Sequence, residues 1–379
     1  MKKKRLIVCT GYYHLINIIT VLQQRNGVSE DFENILILWI NSQDSKKLSD
    51  FALSFNIFSS IHLAFLQEKD DGFFKVKKEL PHKFYDEIIS PFYYVYTQRL
   101  ANYKINCNSL IVVDEGTETY VDTDRLPYEK KINKTLDVYL LNKSLLSCFT
   151  NVDSVKLHSI DINTYKNTLS KIEENLILKE NSVIFLSSTT WVSKDKNGYN
   201  NEDITIINKL ISLGYNVYYK AHPRNYLKQV NKLANIIKSD KFSIIDTKEN
   251  ILIETILFKN KDKIKFILGD SSSTLFQSYQ NFGIPAFSLL KNKYSLYQLK
   301  MFRYLPDFEE FLELDLTPKE FYVASVYYLN TTGKKFDTLY NQILVSRIVK
   351  RKKRKKIINI SIFLLVFVIA LVLLEVLFL

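Results

Sequence analysis

NVYYKAHPRN at residues 216–225 and IKFILGDSSSTLFQSYQNFGIPAFSLL at residues 264–290 follow one pattern. Each begins with a β-branched and aromatic run, Asn216–Lys220 and Ile264–Leu268, which predicts a buried strand. A polar cluster follows each strand: His222-Pro223-Arg224 in the first stretch and Gly269–Thr274 in the second, where it opens a helix. Ligands of open parallel α/β sheets bind beyond the carboxyl ends of the strands. The clusters therefore predict a binding site at one edge of such a sheet.

The second cluster has the composition of an anion site. Hydroxyls at a helix N-terminus lie beside free backbone N–H groups and the positive end of the helix dipole. Here the hydroxyls belong to Ser271, Ser272, Ser273 and Thr274. His222 and Arg224, at a neighbouring strand end, would add donors to the same anion. The alternatives are that Pro223 only ends its strand and that the hydroxyls only cap the helix. We interpret the two clusters as a phosphate-binding half-site for a nucleotide-activated donor.

The rest of the chain alternates strands and helices. Arg5–Cys9 predicts a buried strand, Thr10-Gly11 a turn and Tyr12–Gln24 a helix, which is the entry unit of a doubly wound sheet. His14, in the first turn of that helix, is either a helix-face residue, which we favour, or a ligand on the acceptor side. The further predicted strands are Asn34–Trp39, Ser60–Leu66, Asp86–Ser90, Ser109–Asp114, Asn181–Leu186, Phe242–Ile245 and Ile284–Leu289. The further predicted helices are Ser45–Phe55, Tyr93–Asn102, Glu202–Leu213, Leu252–Leu257, Pro318–Leu329 and Phe336–Arg347.

This alternation predicts an α/β protein with two Rossmann-like domains that face a central cleft, the GT-B arrangement of glycosyltransferases. We expect an acceptor-side domain over residues 1–160 and a donor-binding domain over residues 181–345. Residues 125–180 are polar with weak periodicity, and we place the connection between the domains near Ser159–Glu180.

The strand Ser109–Asp114 leads into Asp114-Glu115-Gly116. Two adjacent carboxylates at a strand end suit general-base chemistry. In an extended chain they point in opposite directions, so one can face the cleft while backbone donors hold the other. The alternative is an ordinary acidic turn. We favour the functional interpretation because the pair lies at the edge that faces the predicted cleft.

Composition excludes several classes of protein. Hydrophobic residues make up 46% of 379 residues, enough for sizeable cores. The three cysteines, Cys9, Cys107 and Cys148, are scattered, which favours a reducing compartment over a disulfide framework. The net charge is +12, but eight of the positive charges lie between Arg347 and Lys356. The charge is therefore local, and we expect no nucleic-acid partner.

Residues 357–379, IINISIFLLVFVIALVLLEVLFL, carry Glu375 as their one charge. A helix of this length extends roughly 34 Å, and a bilayer core is about 30 Å thick. The segment therefore predicts a C-terminal transmembrane helix, with a buried core helix as the alternative. The polybasic run at 347–356 predicts that the catalytic part stays on the cytoplasmic face of the inner membrane. The N-terminus has no apolar segment long enough for a signal peptide.

Four motifs together resemble a known family. VCTGYYHLINII at 8–19, VVDEG at 112–116, YYKAHPR at 218–224 and GDSSSTLFQSYQNFGIP at 269–285 are similar, in this order, to motifs of bacterial sialyltransferases. The similarity is to the lipooligosaccharide sialyltransferases of glycosyltransferase family 52 and to the related polysialyltransferases. It implies an inverting GT-B enzyme that uses CMP-sialic acid as donor and needs no metal ion or other cofactor.

The resemblance also implies roles for residues. Asp114 matches the general base that deprotonates the acceptor hydroxyl, with Glu115 beside it, and the two roles could be exchanged. His222 matches the histidine that hydrogen-bonds the CMP phosphate, and Ser272 and Ser273 match hydroxyls that hold it. In some relatives the base instead lies ahead of the His-Pro motif, where this chain has Asp195, Glu202 and Asp203.

Two other functions compete with sialyl transfer. Kdo transferases and CDP-glycerol glycerophosphotransferases also release CMP and combine a His-Pro motif with Asp-Ser-Ser before a helix. Asp114-Glu115 in the first domain favours sialyl transfer over both. A non-catalytic membrane-tethered scaffold would require the polar clusters to be accidental. The enzymatic alternatives share a nucleotide-activated donor and a glycan or other acceptor linked to a membrane lipid.

Overall fold

The amino-terminal half of the protein forms a parallel sheet whose central strands are continuous apolar runs. In a computed structural model its strands are β1 (Lys3–Cys9), β2 (Phe32–Ile40), β3 (Ser60–Phe65), β4 (Phe84–Pro91), β5 (Asn106–Val113), β6 (Thr135–Leu140) and β7 (Lys156–Ser159). They pair in the order β3-β2-β1-β4-β5-β6-β7, and every pairing is parallel. Residues 6–9 of β1 and 35–38 of β2 are fully buried, because helices cover both faces of a parallel sheet.

The second sheet repeats this winding. Its strands are β8 (Ser182–Leu186), β9 (Asn216–Lys220), β10 (Phe242–Ile245), β11 (Ile264–Gly269) and β12 (Ala286–Ser288), in the parallel order β10-β9-β8-β11-β12. In each sheet the chain first adds strands on one side of its first strand and then crosses to the other side. The crossover places a switch point between β1 and β4 and another between β8 and β11, where ligands bind in such folds. The predicted α/β class with parallel sheets is confirmed.

Each described helix lies between two successive strands of the chain. They are α1 (Tyr12–Gln24), α2 (Ser45–Leu53), α3 (Ile162–Ser170), α4 (Asn201–Ser212), α5 (Leu227–Ile236), α6 (Ile253–Lys259) and α7 (Thr274–Phe282). The structure describes residues 2–25, 31–40, 45–65, 80–91, 100, 104–116, 135–141, 156–173, 176–187, 201–221, 227–245, 252–269, 272–289, 305, 308 and 317–320. The chain divides into two compact units, Met1–Arg303 and Tyr304–Leu379, and the first contains both sheets.

Several elements have the bounds that the sequence predicts, and one region does not. Helix α1 and strands β9 and β10 start and end as expected. The polar region 125–180, however, contains β6, β7 and α3. The apolar periodicity of α3 is weak because its buried face includes Tyr165 and Thr168. Asp161 caps the helix by accepting a hydrogen bond of 2.6 Å from the Thr164 N–H. The predicted helix Tyr93–Asn102 lies almost wholly outside the described residues.

Helix α3 packs against both α1 and α6, and so connects the two sheets within the first unit. The Thr168 hydroxyl donates to the Gln23 side-chain oxygen of α1 at 3.3 Å. This contact fixes the amino-terminal half against the helix that follows it, close to the place where the sequence predicts a connection.

The second unit is described at a few positions only. The Thr317 N–H and hydroxyl both donate to the Glu320 carboxylate at 3.0 Å, and the Glu320 N–H donates to the Thr317 hydroxyl at 3.3 Å. This reciprocal pair is a capping box with proline at the first helical position, and it starts a helix at the predicted residue, Pro318. No described helix is long and apolar enough to span a membrane. The predicted transmembrane helix at 357–379 lies outside the described residues.

Candidate active site

The carboxylate of Asp114, directly after β5, is buried and fully engaged. Its Oδ1 accepts hydrogen bonds from the Gly116 N–H at 2.7 Å and the Tyr13 hydroxyl at 3.2 Å, and its Oδ2 accepts from the Leu141 N–H at 3.1 Å. Its backbone carbonyl accepts from the Asn17 side-chain amide at 2.9 Å. The side chain is 0% exposed. Asp114 therefore fixes the turn from inside the protein.

Glu115 follows Asp114 in the same turn and is half-buried. Successive side chains of an extended chain point in opposite directions, so with Asp114 buried we expect the Glu115 side chain to face outward. The sequence allows one of the two carboxylates to face the cleft while backbone donors hold the other. The residue that backbone donors hold is Asp114, so Glu115 is the better placed of the two for contact with an acceptor.

His14 supports the turn from helix α1. Its Nδ1 lies 2.5 Å from the Thr10 hydroxyl oxygen, and its ring also hydrogen-bonds the backbone carbonyl of Glu115. Burial lowers the pKa of His14 to about 4, although the bond to Glu115 opposes this shift. The imidazole is therefore neutral at pH 7. The interpretation of His14 as a simple helix-face residue is incomplete, because its ring contacts the acidic motif.

We expect His14 to make the protein less stable at mildly acidic pH. In the unfolded chain histidine has a pKa of about 6.5, so only the unfolded state gains a proton as the pH falls from 6.5 toward 4. The free energy of unfolding then decreases by about 1–2 kcal/mol at pH 5. Urea titrations at pH 7 and pH 5 should show a smaller decrease in His14→Gln than in the wild type. Equal decreases in the two proteins would contradict this assignment.

The hydroxyl cluster before α7 has two kinds of member. The Thr274 hydroxyl is buried and donates to Oε1 of Glu254 on α6 at 3.0 Å, so it anchors the helix. Burial raises the pKa of the Glu254 carboxyl. Ser272 and Ser273 are half-buried, and the Ser272 hydroxyl accepts a hydrogen bond of 3.3 Å from the Thr274 N–H. These two serines remain the members suited to an anion.

The acidic turn of the first sheet and the serine cluster of the second are in contact. A Cβ added to Gly116 would lie 3.0 Å from Oγ and 3.4 Å from Cβ of Ser273. One helical turn further along α7, the Gln277 side-chain amide donates to the Tyr13 hydroxyl at 2.5 Å. The carboxyl edges of the two sheets therefore form one centre, with carboxylates from one side and hydroxyls from the other.

Tyr165 of α3 is a buried tyrosine whose hydroxyl is influenced by carboxyl groups of this region. Its side chain is 0% exposed. Burial, together with the nearby carboxyl groups of Glu254 and Asp114, raises the pKa of the Tyr165 hydroxyl well above its usual value. Among the described residues this hydroxyl has no hydrogen-bond partner. The Tyr165 hydroxyl therefore stays neutral, and carboxyl groups from both halves of the chain contribute to the rise of its pKa.

One expectation about strand adjacency is wrong. The sequence predicts that His222 and the serine cluster follow neighbouring strands, but β8 lies between β9 and β11. Two strand spacings separate the strand ends by about 10 Å. The reason is the doubly wound order, in which strands added before and after the crossover lie on opposite sides of β8. Donors from both clusters would therefore approach a ligand over β8, from either side.

The remaining candidates are only partly described. Glu202 is exposed and Asp203 half-buried in the first turn of α4. Outside the described residues lie His222, Pro223, Arg224, Ser271 and the third alternative base, Asp195. Within the described ranges, no three His, Cys, Asp or Glu side chains come together as metal ligands. The sequence gives no signal for Glu254. Tyr13 and His14 stand in the motif VCTGYYHLINII and Gln277 in the motif GDSSSTLFQSYQNFGIP, but only His14 is singled out by its residue type.

Comparisons with known proteins agree with this architecture. Residues 5–291 match the family model described as Alpha-2,8-polysialyltransferase (POLYST). No curated protein sequence matches the chain. The UDP-GlcNAc 2-epimerase of Methanocaldococcus jannaschii, solved with UDP-GlcNAc and UDP, has a TM-score of 0.52 at 13% identity, over 92% of this chain and 99% of that one. A putative UDP-N-acetylglucosamine 2-epimerase from Listeria monocytogenes has a TM-score of 0.50 at 11% identity, over 93% and 98%. At these identities the likeness shows the fold alone.

Proposed function

This chain belongs to the alpha-2,8-polysialyltransferase family, and on that premise we propose that it transfers sialic acid from CMP-sialic acid to a glycan acceptor. Membership makes the chain a glycosyltransferase of the sialyltransferase kind. The observation that supports the chemistry is the contact between the Asp114-Glu115-Gly116 turn and the serines before α7. A transferase of this type needs a base and an anion site within reach of one another, and this contact brings the two motifs proposed for these roles together.

In the proposed reaction Glu115 is the general base. The acceptor hydroxyl oxygen forms a bond to the anomeric carbon of sialic acid, and its proton passes to the Glu115 carboxylate. The bond between that carbon and the phosphate oxygen of CMP breaks, and its electron pair leaves with CMP. Attack on the face opposite the leaving group inverts the configuration. Asp114 does not meet the acceptor, because its oxygens are occupied by Gly116, Leu141 and Tyr13.

The leaving group gains negative charge in the transition state, and the second sheet provides donors for it. Ser272 and Ser273 lie at the start of α7, where the helix dipole favours an anion. His222 and Arg224 add a hydrogen bond and a positive charge in the proposal. Oriented donors of this kind can supply several kcal/mol of transition-state stabilisation. These donors take the place of a metal ion, so we propose transfer without one.

The acceptor is proposed to be a lipid-linked or cell-surface glycan, such as lipooligosaccharide or capsule. The motivation is the polybasic run at 347–356 followed by the apolar segment 357–379. A single C-terminal helix would hold the enzyme at the inner membrane, with the catalytic unit on the cytoplasmic face. The donor would then reach the site from the cytoplasm and the acceptor from the bilayer surface.

The test is CMP release by the purified full chain from CMP-sialic acid, CMP-Kdo and CDP-glycerol, with EDTA present. We expect turnover of CMP-sialic acid alone. His222→Ala and Ser273→Ala should each lose about 100-fold or more, since each removes one donor to the developing charge. His62→Ala, on the outer strand β3, is the matched control and should keep the wild-type rate. Turnover of another donor, or none of CMP-sialic acid, would overturn the proposal.

A further inference from the structure

Tyr13 connects the two halves of the candidate active site through hydrogen bonds at both sides of its hydroxyl. The hydroxyl donates to Oδ1 of Asp114 at 3.2 Å and accepts from Nε2 of Gln277 at 2.5 Å. Asp114 belongs to the turn after β5, and Gln277 belongs to α7. The link therefore runs from the donor-side helix to the acceptor-side turn.

The chemistry of Gln277, Tyr13 and Asp114 fixes which group donates in each of these two hydrogen bonds. Oδ1 of Asp114 also accepts from the Gly116 N–H at 2.7 Å, so it acts as an acceptor toward both neighbours. A tyrosine hydroxyl has one proton to donate. Because Tyr13 gives that proton to Asp114, it must accept from Gln277, and an amide N–H is the group that can donate. Donors arranged in series toward a carboxylate strengthen one another.

Gln277 lies on the same face of the helix as the serine cluster. It lies four residues after Ser273, and side chains at this spacing share a face of a helix. It is 1% exposed. Ser273 packs against Gly116 on the same side of the helix. Helix α7 thus contacts the acidic turn twice, once through Ser273 and once through Gln277 and Tyr13.

We propose that Tyr13 is a positioning residue that holds Glu115 in register with the donor phosphate, with Gln277 as its partner. The inference rests on the proposed function and adds a coupling between the two substrates' sites. Loss of the Tyr13 hydroxyl leaves Asp114 without one donor and Gln277 without its acceptor. The turn is then free to move relative to α7, which displaces Glu115 while Ser272 and Ser273 still bind the donor.

The expected signature is a loss of rate without a loss of donor binding. In Tyr13→Phe, kcat falls by about 10- to 100-fold, because a small misplacement of a reacting group is costly, while KM for CMP-sialic acid stays within about twofold. Gln277→Met, which keeps the volume of the side chain, should give a similar loss of kcat. Tyr12→Phe is the control, because its ring contacts Phe51 at a centroid distance of 5.8 Å.

The decisive experiment is a double-mutant cycle of Tyr13→Phe and Gln277→Met on the full chain. If the two residues act through one link, the kcat of the double variant equals that of the less active single variant. If the losses of kcat in the two single variants multiply in the double variant, the inference is wrong. It is also wrong if Tyr13→Phe keeps the wild-type kcat, or if its KM rises while its kcat does not fall.

A second readout separates this inference from the proposed function. Hydrogen exchange of the Gly116 and Leu141 amides, which both donate to Asp114, needs no substrate. Each single variant should accelerate exchange at these amides, and the double variant should accelerate it no further. A wild type without turnover of CMP-sialic acid would refute the proposed function alone. Unchanged amide exchange in Tyr13→Phe would refute the link even if the wild type is active.

Discussion

Replacement of Gly116 by alanine should reduce sialyl transfer by about 100-fold, since it shifts the turn that carries the proposed base, Glu115. Gly116 has φ of 107°, which L side chains rarely adopt. A Cβ there would also lie 3.0 Å from Oγ of Ser273, so the donor cluster or the acidic turn has to move. The strain and the collision together should lower the free energy of unfolding by about 2–3 kcal/mol.

Alanine variants at two other glycines separate the effect of backbone strain from that of the collision with Ser273. Gly214 has φ of 90° with nothing within 4 Å of an added Cβ, so Gly214→Ala should cost about 1–2 kcal/mol of stability and leave the rate unchanged. Gly11 has extended backbone at φ 170° and open space around it, so Gly11→Ala should cost only the preference of an N-cap for glycine over alanine, about 0.5–1 kcal/mol. Transfer rates and thermal unfolding of the three variants provide the comparison. A fully active Gly116→Ala would contradict the contact between the two motifs.

Asp114→Asn and Glu115→Gln should fail in different ways. An asparagine at 114 offers one acceptor oxygen and one amide group where three donors now converge. At least one buried donor then faces another donor, and the free energy of unfolding should fall by about 2–4 kcal/mol. Glu115 is half-buried, so Glu115→Gln should change stability by less than about 1 kcal/mol. Its kcat should fall by about 100- to 10,000-fold, the usual contribution of a general base.

Urea unfolding and initial rates on the same preparations measure both properties. Ser212→Ala, an exposed position at the end of α4, should leave both unchanged. If Asp114→Asn is stable but inactive and Glu115→Gln is active, Asp114 is the base and Glu115 is not. Activity in both would direct the search for the base to Asp195, Glu202 or Asp203.

The apolar runs of the sequence predict the class of fold and most of the strands, but not β6 and β7, which lie in the polar region 125–180. Val217–Tyr219 and Phe266–Leu268 are continuous and buried, and a run of this kind has one favourable place, inside a parallel sheet. The order of the strands was harder to predict. The residues of β8 do not indicate that it lies between β9 and β11, because the order of the strands depends on the direction of each crossover.

The motifs of the candidate site can be read from the sequence, but the hydrogen bonds that connect them cannot. The sequence shows that Asp114 and Glu115 point in opposite directions, but the donors that select Asp114 come from Tyr13 and Leu141, far away in the chain. Gln277 and Glu254 look like ordinary helix residues, and only the packing of α7 reveals their contacts. Helix α3 was missed because a buried face that includes tyrosine and threonine resembles a polar segment.

The most direct test of a base on the first sheet acting with an anion site on the second is chemical rescue of Glu115→Ala. Transfer from CMP-sialic acid by the full chain would be measured with and without added formate, which can enter the space left by the side chain and accept the acceptor's proton. We expect formate to restore much of the lost rate in Glu115→Ala and none in Asp114→Ala, whose defect is structural. Rescue of Asp114→Ala alone, or a Glu115→Ala variant as active as the wild type, would contradict the assignment.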